Sequence, residues 1–434
     1  MNLRYSISLL ALSVAASLAG PVAAQQSPAA SEANAVEEVI VTATRREQRL
    51  IEVPVAVTAV GGVQLEASGV TDIRELTSLA PSVQFQTPGG GADSSIRIRG
   101  IGTTSTNPGL ESSVGVLIDG VIRPRTGVAL SELGDLEGIE VLRGPQGTLF
   151  GRNTSSGLIN ITTRRPSLTS TGGRVELGVG NYDYRRAAAS FTTPLIEDKV
   201  GLRLEGSYEE RDGFHKDANS SETMDLIDRY FLRGKLLIEP NERVRWLLSA
   251  DYTQRDENCC MAILYRAGST YSTVNTLAGA RGYVGYPASQ TFDRVGAKTP
   301  GRFNQEDIQD WGVSAQGDYD LGFANLTSIT AFRSWDARRG QDFDHSGVDL
   351  GFFEPNGFLQ GFDVFTQELR LQGTKGRLDW LVGAFYSDEE VLLDNAYRMG
   401  ADYPNIYGGA ATFQAATLAA FTPGDGARGI FNQD

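Results

Sequence analysis

The sequence predicts a small α+β domain followed by an antiparallel transmembrane β-barrel. Two patterns favour this fold. After Pro166, apolar and polar residues alternate in segments of about 10 residues or more, which is the length of a tilted strand that crosses a bilayer. The links between these segments alternate between short and long. Before Pro166, short strand-like and helical stretches are mixed, as in a small globular domain.

The first 24 residues have the pattern of a secretory signal peptide. Arg4 is the only charged residue among them, an apolar stretch runs from Ile7 to Ala19, and Val22-Ala23-Ala24 fits a small-residue cleavage site. The apolar stretch is too short to span a membrane as a helix. We therefore expect residues 1–24 to be removed and the mature chain to begin near Gln25.

Composition narrows the classes of function. A net charge of -14 argues against a nucleic-acid partner. His215 and His345 lie far apart in sequence, and no HExxH or GxSxG motif occurs. Cys259 and Cys260 are adjacent, which excludes a disulfide framework but leaves open a vicinal disulfide, two thiols or a simple kink in a loop. Nothing in the sequence points to a His-based zinc site or a Ser-His-Asp triad, although neither is excluded. We predict no enzyme, no catalytic residue, no metal site and no cofactor.

Residues 25–44 are predicted to be a linker that contains a short β-prone segment. The stretch from Gln25 to Ala35 is rich in Ala, Ser, Gln and Pro, as flexible linkers are. The β-prone residues that follow, from Val36 to Thr44, could form an ordinary first strand. They could also form an extended peptide that a partner captures by strand addition.

Residues 45–166 are predicted to form the small α+β domain. We expect strands at 53–60, 96–100, 114–118, 139–142 and 158–162, and helical turns at 61–65 and 72–79. Thr71 is the predicted cap of the second turn, and Asp119-Gly120 is a turn signal after the third strand.

A glycine-rich run at 139–166 carries the most information in this domain. Its glycines at Gly144, Gly147 and Gly151 suggest a phosphate-binding loop, but no Gly-Lys-Ser/Thr follows them. The next stretch, 158–162, is β-branched rather than helical. The run is therefore predicted to connect two strands, with glycine permitting the tight turns.

The part after Pro166 contains nine strand candidates with one apolar and one polar face. A soluble sandwich would show the same alternation. The links favour a membrane barrel, because short turns on one side and long loops on the other are typical of outer-membrane proteins. Short links are expected at 194–199, 239–243, 320–324 and 373–377, long links at 212–225, 256–306 and 336–360, with one brief exception near 181–184. Every strand edge must be paired in lipid, so the barrel has to close, and its polar lumen suits the preceding domain as a plug.

These motifs together resemble the TonB-dependent outer-membrane receptors, the family that includes siderophore and vitamin B12 transporters. Three segments match plug signatures of the family in its order: 96–100, 116–120 and 139–165. A fourth, 366–371, resembles a recurrent barrel strand, and the resemblance covers residues 1–390. It assigns residues 45–166 to a plug domain and residues 167–434 to the N-terminal part of a barrel.

The β-prone segment resembles the TonB box, the peptide that pairs with the periplasmic protein TonB. It comprises Glu37, Glu38, Val39, Ile40, Val41, Thr42 and Ala43. The resemblance implies that TonB, energised through ExbB and ExbD, rearranges the plug so that a bound ligand passes inward.

The resemblance implies active import across the outer membrane of a Gram-negative bacterium, with an extracellular small molecule, most often a ferric siderophore, as the ligand. Outer-membrane lipid would be a further partner. A signalling receptor, or a receptor for cobalamin or a carbohydrate, is the alternative within the family. A diffusion porin or adhesin would need neither a plug nor a TonB box, so residues 37–166 argue against it.

The resemblance also implies a lock between plug and barrel. Plug arginines at Arg99 and Arg143, with Arg152 available beside them, are expected to meet barrel carboxylates. Glu368 is the favoured partner, and Glu205 also points to the polar face. The alternative is that these arginines are simply solvated. The predicted turn glycines of the plug are Gly100, Gly144, Gly147 and Gly151.

The sequence departs from the family in strand number. Family barrels have about 22 strands, whereas about nine are expected here, and an odd number cannot close an antiparallel barrel. We therefore expect an incomplete barrel, in a fragment or a truncated gene product. The alternative to an importer is then a receptor fragment that has no function of its own.

Overall fold

The computed structural model describes residues 40–42, 45–46, 48–70, 72–87, 90–104, 109–125, 127, 132–288, 291–403 and 406. All of them belong to one compact unit, Val39–Asp434. In this part of the chain, no helix is both long and apolar enough to cross a membrane. The signal-peptide prediction for residues 1–24 lies outside the described residues, and so does the linker prediction for 25–44 except at residues 40–42.

The plug domain contains short strands that pair into small sheets. In chain order these strands are β1 (Ile40–Val41), β2 (Gln48–Arg49), β3 (Val57–Gly61), β4 (Val83–Gln86), β5 (Ser95–Ile98), β6 (Val114–Ile118), β7 (Val121–Ile122), β8 (Leu136–Arg143) and β9 (Gly157–Thr163). The central sheet has the order β3-β8-β9-β6-β7, with only β6 and β9 parallel. β1 pairs with β2, and β4 pairs with β5.

Helical segments of the plug domain are short. They are α1 (Gly62–Ser68), α2 (Gly147–Phe150) and two 3-10 turns, Leu50–Glu52 and Ile73–Ser78. The second 3-10 turn is capped by Asp72, whose side chain accepts a hydrogen bond from Arg74 N at 2.8 Å, and Glu75 completes a capping box. Thr71, the cap predicted from sequence, lies outside the described residues; the described cap is the carboxylate of Asp72, one residue later.

In the plug core, alternate residues of the central sheet pack against α1 and against the 3-10 turn Ile73–Ser78. The side chains that are 1 % exposed or less in this cluster are Ile73, Leu76, Ala80, Val83, Ile96, Ile98, Val114, Val116, Leu133, Ile139, Val141, Ile159 and Ile161. Burying one such side chain stabilises a fold by about 1.5–3 kcal/mol. The plug thus has a hydrophobic core of its own.

Most of the described chain after the plug forms one antiparallel sheet of nine long strands, which are hydrogen-bonded in their order along the chain. Its strands are β10 (Gly172–Val179), β11 (Arg185–Ile196), β12 (Val200–Arg211), β15 (Ile227–Asn241), β16 (Val244–Glu257), β18 (Asn304–Asp320), β19 (Asn325–Asp342), β20 (Gly351–Lys375) and β21 (Leu378–Met399). The nine strand candidates predicted from sequence are confirmed. Among the described residues, β10 and β21 are the two edges of this sheet.

The two faces of the nine-stranded sheet differ in chemistry. One face exposes apolar side chains; Leu177 and Val179 are 78 % and 89 % exposed. The opposite face carries charged side chains that are buried, such as Arg203 and Lys235 at 7 % and 2 % exposure. A contiguous exposed apolar surface suits contact with lipid, and the buried charged face meets the plug domain.

The links between the long strands alternate in length, as predicted, with one difference. β11 and β12 are joined by residues 197–199, whereas 212–226 and 258–303 are long. The predicted long link at 336–360 shrinks to 343–350, because β19 and β20 continue well past the length that alternation alone indicated. The long links contain α3 (Tyr271–Gly279), a 3-10 turn Thr291–Asp293, and a small sheet of β13 (His215–Asp217), β14 (Thr223–Met224) and β17 (Val295–Gly296).

Candidate functional site: the charged interface between plug and sheet

The plug domain meets the polar face of the nine-stranded sheet through clusters of buried ion pairs, which we call the charged interface. It is made largely of side chains rather than of shared backbone pairing, since no described plug strand belongs to the nine-stranded sheet. An interface of this kind can be separated without breaking a sheet.

The most buried cluster centres on Arg229 of β15. Its guanidinium lies 3.1 Å from Asp72, 3.0 Å from Glu132 and 3.1 Å from Glu209. Asp72 and Glu132 belong to the plug, and Glu209 belongs to β12 of the sheet. Arg255 of β16 also contacts Glu132, at 3.4 Å. A sheet arginine is thus the bridge between two plug carboxylates and one sheet carboxylate.

The two plug carboxylates of this cluster have opposite pKa shifts. Burial raises the pKa of Asp72, but Arg74, Arg229 and Arg255 outweigh it and hold that pKa well below its usual range. Burial raises the pKa of Glu132, and the opposing pull of Arg229 and Arg255 does not fully offset it. Asp72 is therefore the firmly ionised partner of Arg229.

A second cluster holds the turn between β6 and β7. Asp119 has φ +50° and Gly120 φ +80°, so the predicted turn at Asp119-Gly120 is a tight left-handed one. Asp119 accepts hydrogen bonds from Thr163 N at 2.9 Å and Thr163 Oγ1 at 2.7 Å, and Lys235 Nζ of β15 lies 2.7 Å from its carboxylate. Burial raises the pKa of Asp119, but Lys235 and Arg233 lower it by more. The turn is thereby tied both to the plug sheet and to β15.

A third cluster joins the start of β8 to β11, β12 and β15. Asp135 forms an ion pair with Arg203 and accepts a hydrogen bond from Ser190 Oγ at 3.0 Å. Glu205, the alternative partner considered from sequence, pairs with Arg233 of the sheet at 2.8 Å and accepts from Asp135 N at 3.0 Å. It therefore contacts the plug through a backbone N–H rather than through an arginine.

The plug segment around Gly90 contacts the sheet through its backbone. Glu306 of β18 accepts hydrogen bonds from Gly91 N at 2.7 Å and Ala92 N at 3.2 Å. Asp93 pairs with Arg339 of β19 at 2.7 Å. Gly90 has φ +118°, which strains any residue with a side chain, and a Cβ there would lie 2.5 Å from Glu306 Oε1 and displace that carboxylate.

Arg152 is the one predicted lock arginine that reaches a carboxylate of the sheet. It lies 2.8 Å from Glu389 of β21, 3.0 Å from Glu111 of the plug, and 3.1 Å from Ser387 Oγ. Arg125, which the sequence analysis did not name, lies 2.7 Å from the other oxygen of Glu389. Two plug arginines therefore share one sheet carboxylate.

Within the described residues, Arg99 and Arg143 are not paired with Glu368. Arg99 is exposed, has φ +53°, and makes no ion pair within the described residues, because it lies on a surface turn beyond β5. Arg143 donates to Thr58 Oγ1 on the neighbouring strand β3, so its contact lies inside the plug. Glu368 instead pairs with Arg45 at 3.5 Å and with Arg370, its neighbour on β20, at 3.1 Å.

The plug glycines differ in conformation. Gly100, Gly144 and Gly151 have φ values of +79°, +88° and +75°, which favour glycine at these turns. Gly147 instead begins α2, so that glycine does not supply a left-handed turn.

The described end of the predicted TonB box is folded onto the plug. Ile40 and Val41 pair with Arg49 and Gln48, and Val41 is 1 % exposed. Thr42 N donates to Glu140 Oε1 at 2.6 Å, and Asn160 Nδ2 donates to Thr42 Oγ1 at 3.0 Å. Glu37, Glu38, Val39 and Ala43 lie outside the described residues.

The next residues after this segment anchor the plug to the far strands of the sheet. Arg45 lies over the ring of Phe150 at 4.3 Å and contacts Glu368. Burial lowers the pKa of Arg45 to about 10, and Glu368 opposes that shift, so Arg45 stays charged at neutral pH. Arg46 lies 3.2 Å from Asp379 and donates to the backbone of Trp380 at 3.1 Å.

Glu140 gives a testable pH dependence. Burial raises its pKa, and the hydrogen bonds from Thr42 and Asn160 only partly offset the shift. An acid with a raised folded-state pKa contributes stability that is present below its unfolded pKa and lost as pH rises through the folded pKa. Glu140→Gln should therefore gain stability relative to wild type as pH rises from mildly acidic to neutral, measured by denaturant unfolding at each pH.

Glu137→Gln is the matched control, because it removes an exposed carboxylate from the same strand, β8. The contrary result is a stability gain of Glu140→Gln over wild type that stays constant or falls as pH rises. That result would show that burial does not raise the pKa of Glu140.

Comparisons with known proteins agree with this architecture. Residues 49–158 match the model of the TonB-dependent Receptor Plug Domain. The chain is 32% identical over 212 residues to the vitamin B12 transporter BtuB of Vibrio vulnificus, which is 48% of this chain and 33% of that protein. It is also 32% identical over 239 residues to the ferrioxamine B receptor of Salmonella typhimurium, which is 52% of this chain and 32% of that protein.

A solved structure shows the same fold. The ferric yersiniabactin uptake receptor FyuA from Yersinia pestis superposes with a TM-score of 0.66 at 20% identity, over 80% of this chain and 50% of that chain. The chain spans about a third of the length of the two curated relatives described above. The plug-domain match, the order of its motifs and the sheet of long antiparallel strands lead to one conclusion: residues 49–158 form a TonB-dependent receptor plug domain, in a chain that is similar to TonB-dependent receptors.

Proposed function

We propose that this chain supplies the plug and nine strands of a TonB-dependent importer in the outer membrane of a Gram-negative bacterium. The observation that carries the proposal is the charged interface, in which a plug with its own hydrophobic core sits against the polar face of a sheet whose other face is apolar. The proposed activity moves a ligand and breaks no covalent bond, so the protein is not an enzyme.

A charged interface suits a plug that must move. Separating two apolar surfaces in water costs about 25 cal/mol for each Å² exposed. Separated charges regain hydration, so the loss of a buried ion pair is largely offset once both partners meet water. Arg229 with Asp72, and Lys235 with Asp119, would hold the resting plug in place and yet permit its displacement.

We propose that TonB acts on the segment that contains Ile40, Val41 and Thr42. Strand addition uses backbone hydrogen bonds, and the pairing of β1 with β2 shows that this segment takes an extended conformation. TonB would replace β2 as the partner of β1, and the contact of Thr42 with Glu140 would transmit the pull to β8 of the plug sheet. ExbB and ExbD would energise TonB.

We propose a ferric siderophore as the ligand. Among the relatives, one is a ferrioxamine B receptor, and the structural neighbour described above is a ferric yersiniabactin uptake receptor. Cobalamin is the second candidate, because a vitamin B12 transporter is also a relative. The proposed division of the chain is a signal peptide at 1–24, a linker with the TonB box at 25–44, the plug at 45–166 and barrel strands within 167–434.

Uptake of radiolabelled ligand by the host bacterium tests the proposal. Cells that carry the intact gene, a deletion of the gene, or a deletion of tonB would be supplied with a panel of ferric siderophores or with labelled cobalamin. We expect accumulation of at least one ferric siderophore to require both genes. Cobalamin uptake alone would replace the ligand, and uptake that is indifferent to tonB would overturn the mechanism.

A further inference from the structure

The long links of the sheet bring together three side chains that could ligate a metal ion. One donor atom each from Asp225, Cys259 and Cys260 lies within 4.8 Å of the other two. Asp225 belongs to the link between β12 and β15, whereas both cysteines belong to the link between β16 and β18. The structure joins Cys259 and Cys260 in a vicinal disulfide, and all three residues are half-buried.

Hydrogen bonds hold these two links in place without any contribution from sulfur. Asn258, the residue before the cysteines, accepts from Leu226 N at 2.9 Å and donates from its side chain to the carbonyl oxygen of Thr223 at 2.8 Å. Its own carbonyl oxygen accepts from Asp225 N at 2.9 Å. Three bonds from one asparagine therefore position Asp225 beside the cysteine pair, whether the sulfurs are bonded or free.

Asp225 is also oriented from its other side. His215 of β13 places its Nδ1 at 2.5 Å from Asp225 Oδ2. A carboxylate held by a histidine N–H is the kind of outer contact that fixes a metal ligand in a single direction. With two sulfur donors and one oriented carboxylate, the site has the donors that Zn²⁺ and related thiophilic ions prefer.

We propose that the reduced Cys259 and Cys260 thiolates, together with the Asp225 carboxylate, bind one thiophilic divalent cation such as Zn²⁺, and that the vicinal disulfide is the metal-free form. Three anionic ligands would more than balance the charge of the ion, and water would complete a tetrahedral site. Because its ligands come from both links, the bound ion would connect the link at 212–226 to the link at 258–303.

The interconversion balances as a two-electron step. A thiol reductant breaks the Cys259–Cys260 bond, supplies two electrons and two protons to give two thiols, and leaves as its own disulfide. Binding of the divalent cation then displaces the two thiol protons, because the thiolates are the ligands. Thiol–disulfide exchange with an external disulfide, which accepts the two electrons and leaves as two thiolates, would release the ion and restore the Cys259–Cys260 bond.

Cobalt titration of the full chain in detergent tests the proposal. The protein would be reduced with a phosphine, which is oxidised to the phosphine oxide with water as the oxygen source, and freed of reductant without air. Co²⁺ should then give a sulfur-to-cobalt charge-transfer band that saturates at one ion per chain, and Zn²⁺ should abolish the band. The unreduced protein should give no band.

Variants assign the ligands. Cys259→Ser or Cys260→Ser should remove most of the band, Asp225→Asn should weaken binding, and His215→Ala should weaken Co²⁺ affinity by about 10–100-fold. Asp183→Asn, an exposed acidic residue in another link, should bind like wild type. A far-ultraviolet spectrum typical of the folded chain is required for each variant.

Any of three results would overturn the proposal. The first is a reduced, folded wild-type chain that gives no charge-transfer band at saturating Co²⁺. The second is an Asp225→Asn chain that binds with wild-type affinity, and the third is a stoichiometry of one ion per two chains, because either would place the ion elsewhere than in this three-ligand site.

Discussion

Replacing Arg229 by alanine should lower the free energy of unfolding by about 3–5 kcal/mol, the usual cost of removing one partner from a buried ion pair. The reason is the set of carboxylates left behind. Asp72, Glu132 and Glu209 all lie within 3.1 Å of the guanidinium, and Arg229 is 4 % exposed. Urea unfolding of the purified protein in detergent, followed by tryptophan fluorescence, measures the change.

Arg174→Ala is the matched control for this prediction. Arg174 also touches two carboxylates, Glu66 and Glu176, each at 3.0 Å, but its side chain is 44% exposed. Exposed pairs contribute about 0–1 kcal/mol, so this variant should unfold almost as wild type does. Arg229→Lys should be intermediate, because an ammonium keeps the charge but loses the fork that reaches several carboxylates. An Arg229→Ala protein as stable as Arg174→Ala would show that this cluster does not hold the plug.

Ile40→Pro should abolish ligand uptake while leaving ligand binding at the cell surface intact. Proline removes the backbone N–H that strand addition requires, and Ile40 lies in β1, where the backbone pairs with Arg49. Uptake of labelled ligand by energised cells measures import, and retention of ligand at low temperature measures binding.

Ile40→Ala separates the backbone from the side chain. It retains the N–H, so an interaction made by backbone pairing should survive and uptake should stay near the wild-type rate. Normal uptake by Ile40→Pro at native expression would contradict the role given to this segment, and loss of uptake in both variants would assign the role to the side chain instead.

Local patterns predicted most of the fold. The strand Val114–Ile118 and its Asp119-Gly120 turn follow from an apolar run ended by turn residues. The nine long strands follow from a period of two, which is the same whether a strand is short or long. The sequence marks the ends of these strands less clearly than their centres. β19 and β20 therefore extend further than predicted, and the link between them, 343–350, is shorter than predicted.

The charged interface was only partly predictable. Alternation placed Arg203 and Glu205 on the polar face, but a sequence does not show which plug residue meets which strand. The prediction therefore assumed plug arginines against sheet carboxylates, as at Arg152 and Glu389. Much of the interface has the reverse polarity, with Asp72 and Asp119 of the plug held by sheet cations. The polarity of these ion pairs depends on tertiary contacts between residues more than 100 positions apart, and local sequence patterns do not predict such contacts.

The proposed metal site could not be predicted from the sequence for the same reason. Asp225 lies more than 30 positions before Cys259, and no ligand spacing known from compact metal motifs connects them. The sheet order brings β12, β15 and β16 side by side, and only then do their outer links meet.

We propose that the charged interface holds the plug at rest and that the plug must move against the sheet during import. Ala92 of the plug and Ala337 of β19 belong to one buried cluster. Cysteines at these two positions, in a background of Cys259→Ser and Cys260→Ser, can be stapled by a reducible bis-thiol-reactive reagent that is long enough to span them. Once the staple is verified to have formed, ligand uptake should stop and should return when the staple is reduced, while each single variant imports normally. Undiminished uptake by the fully stapled protein would contradict the account.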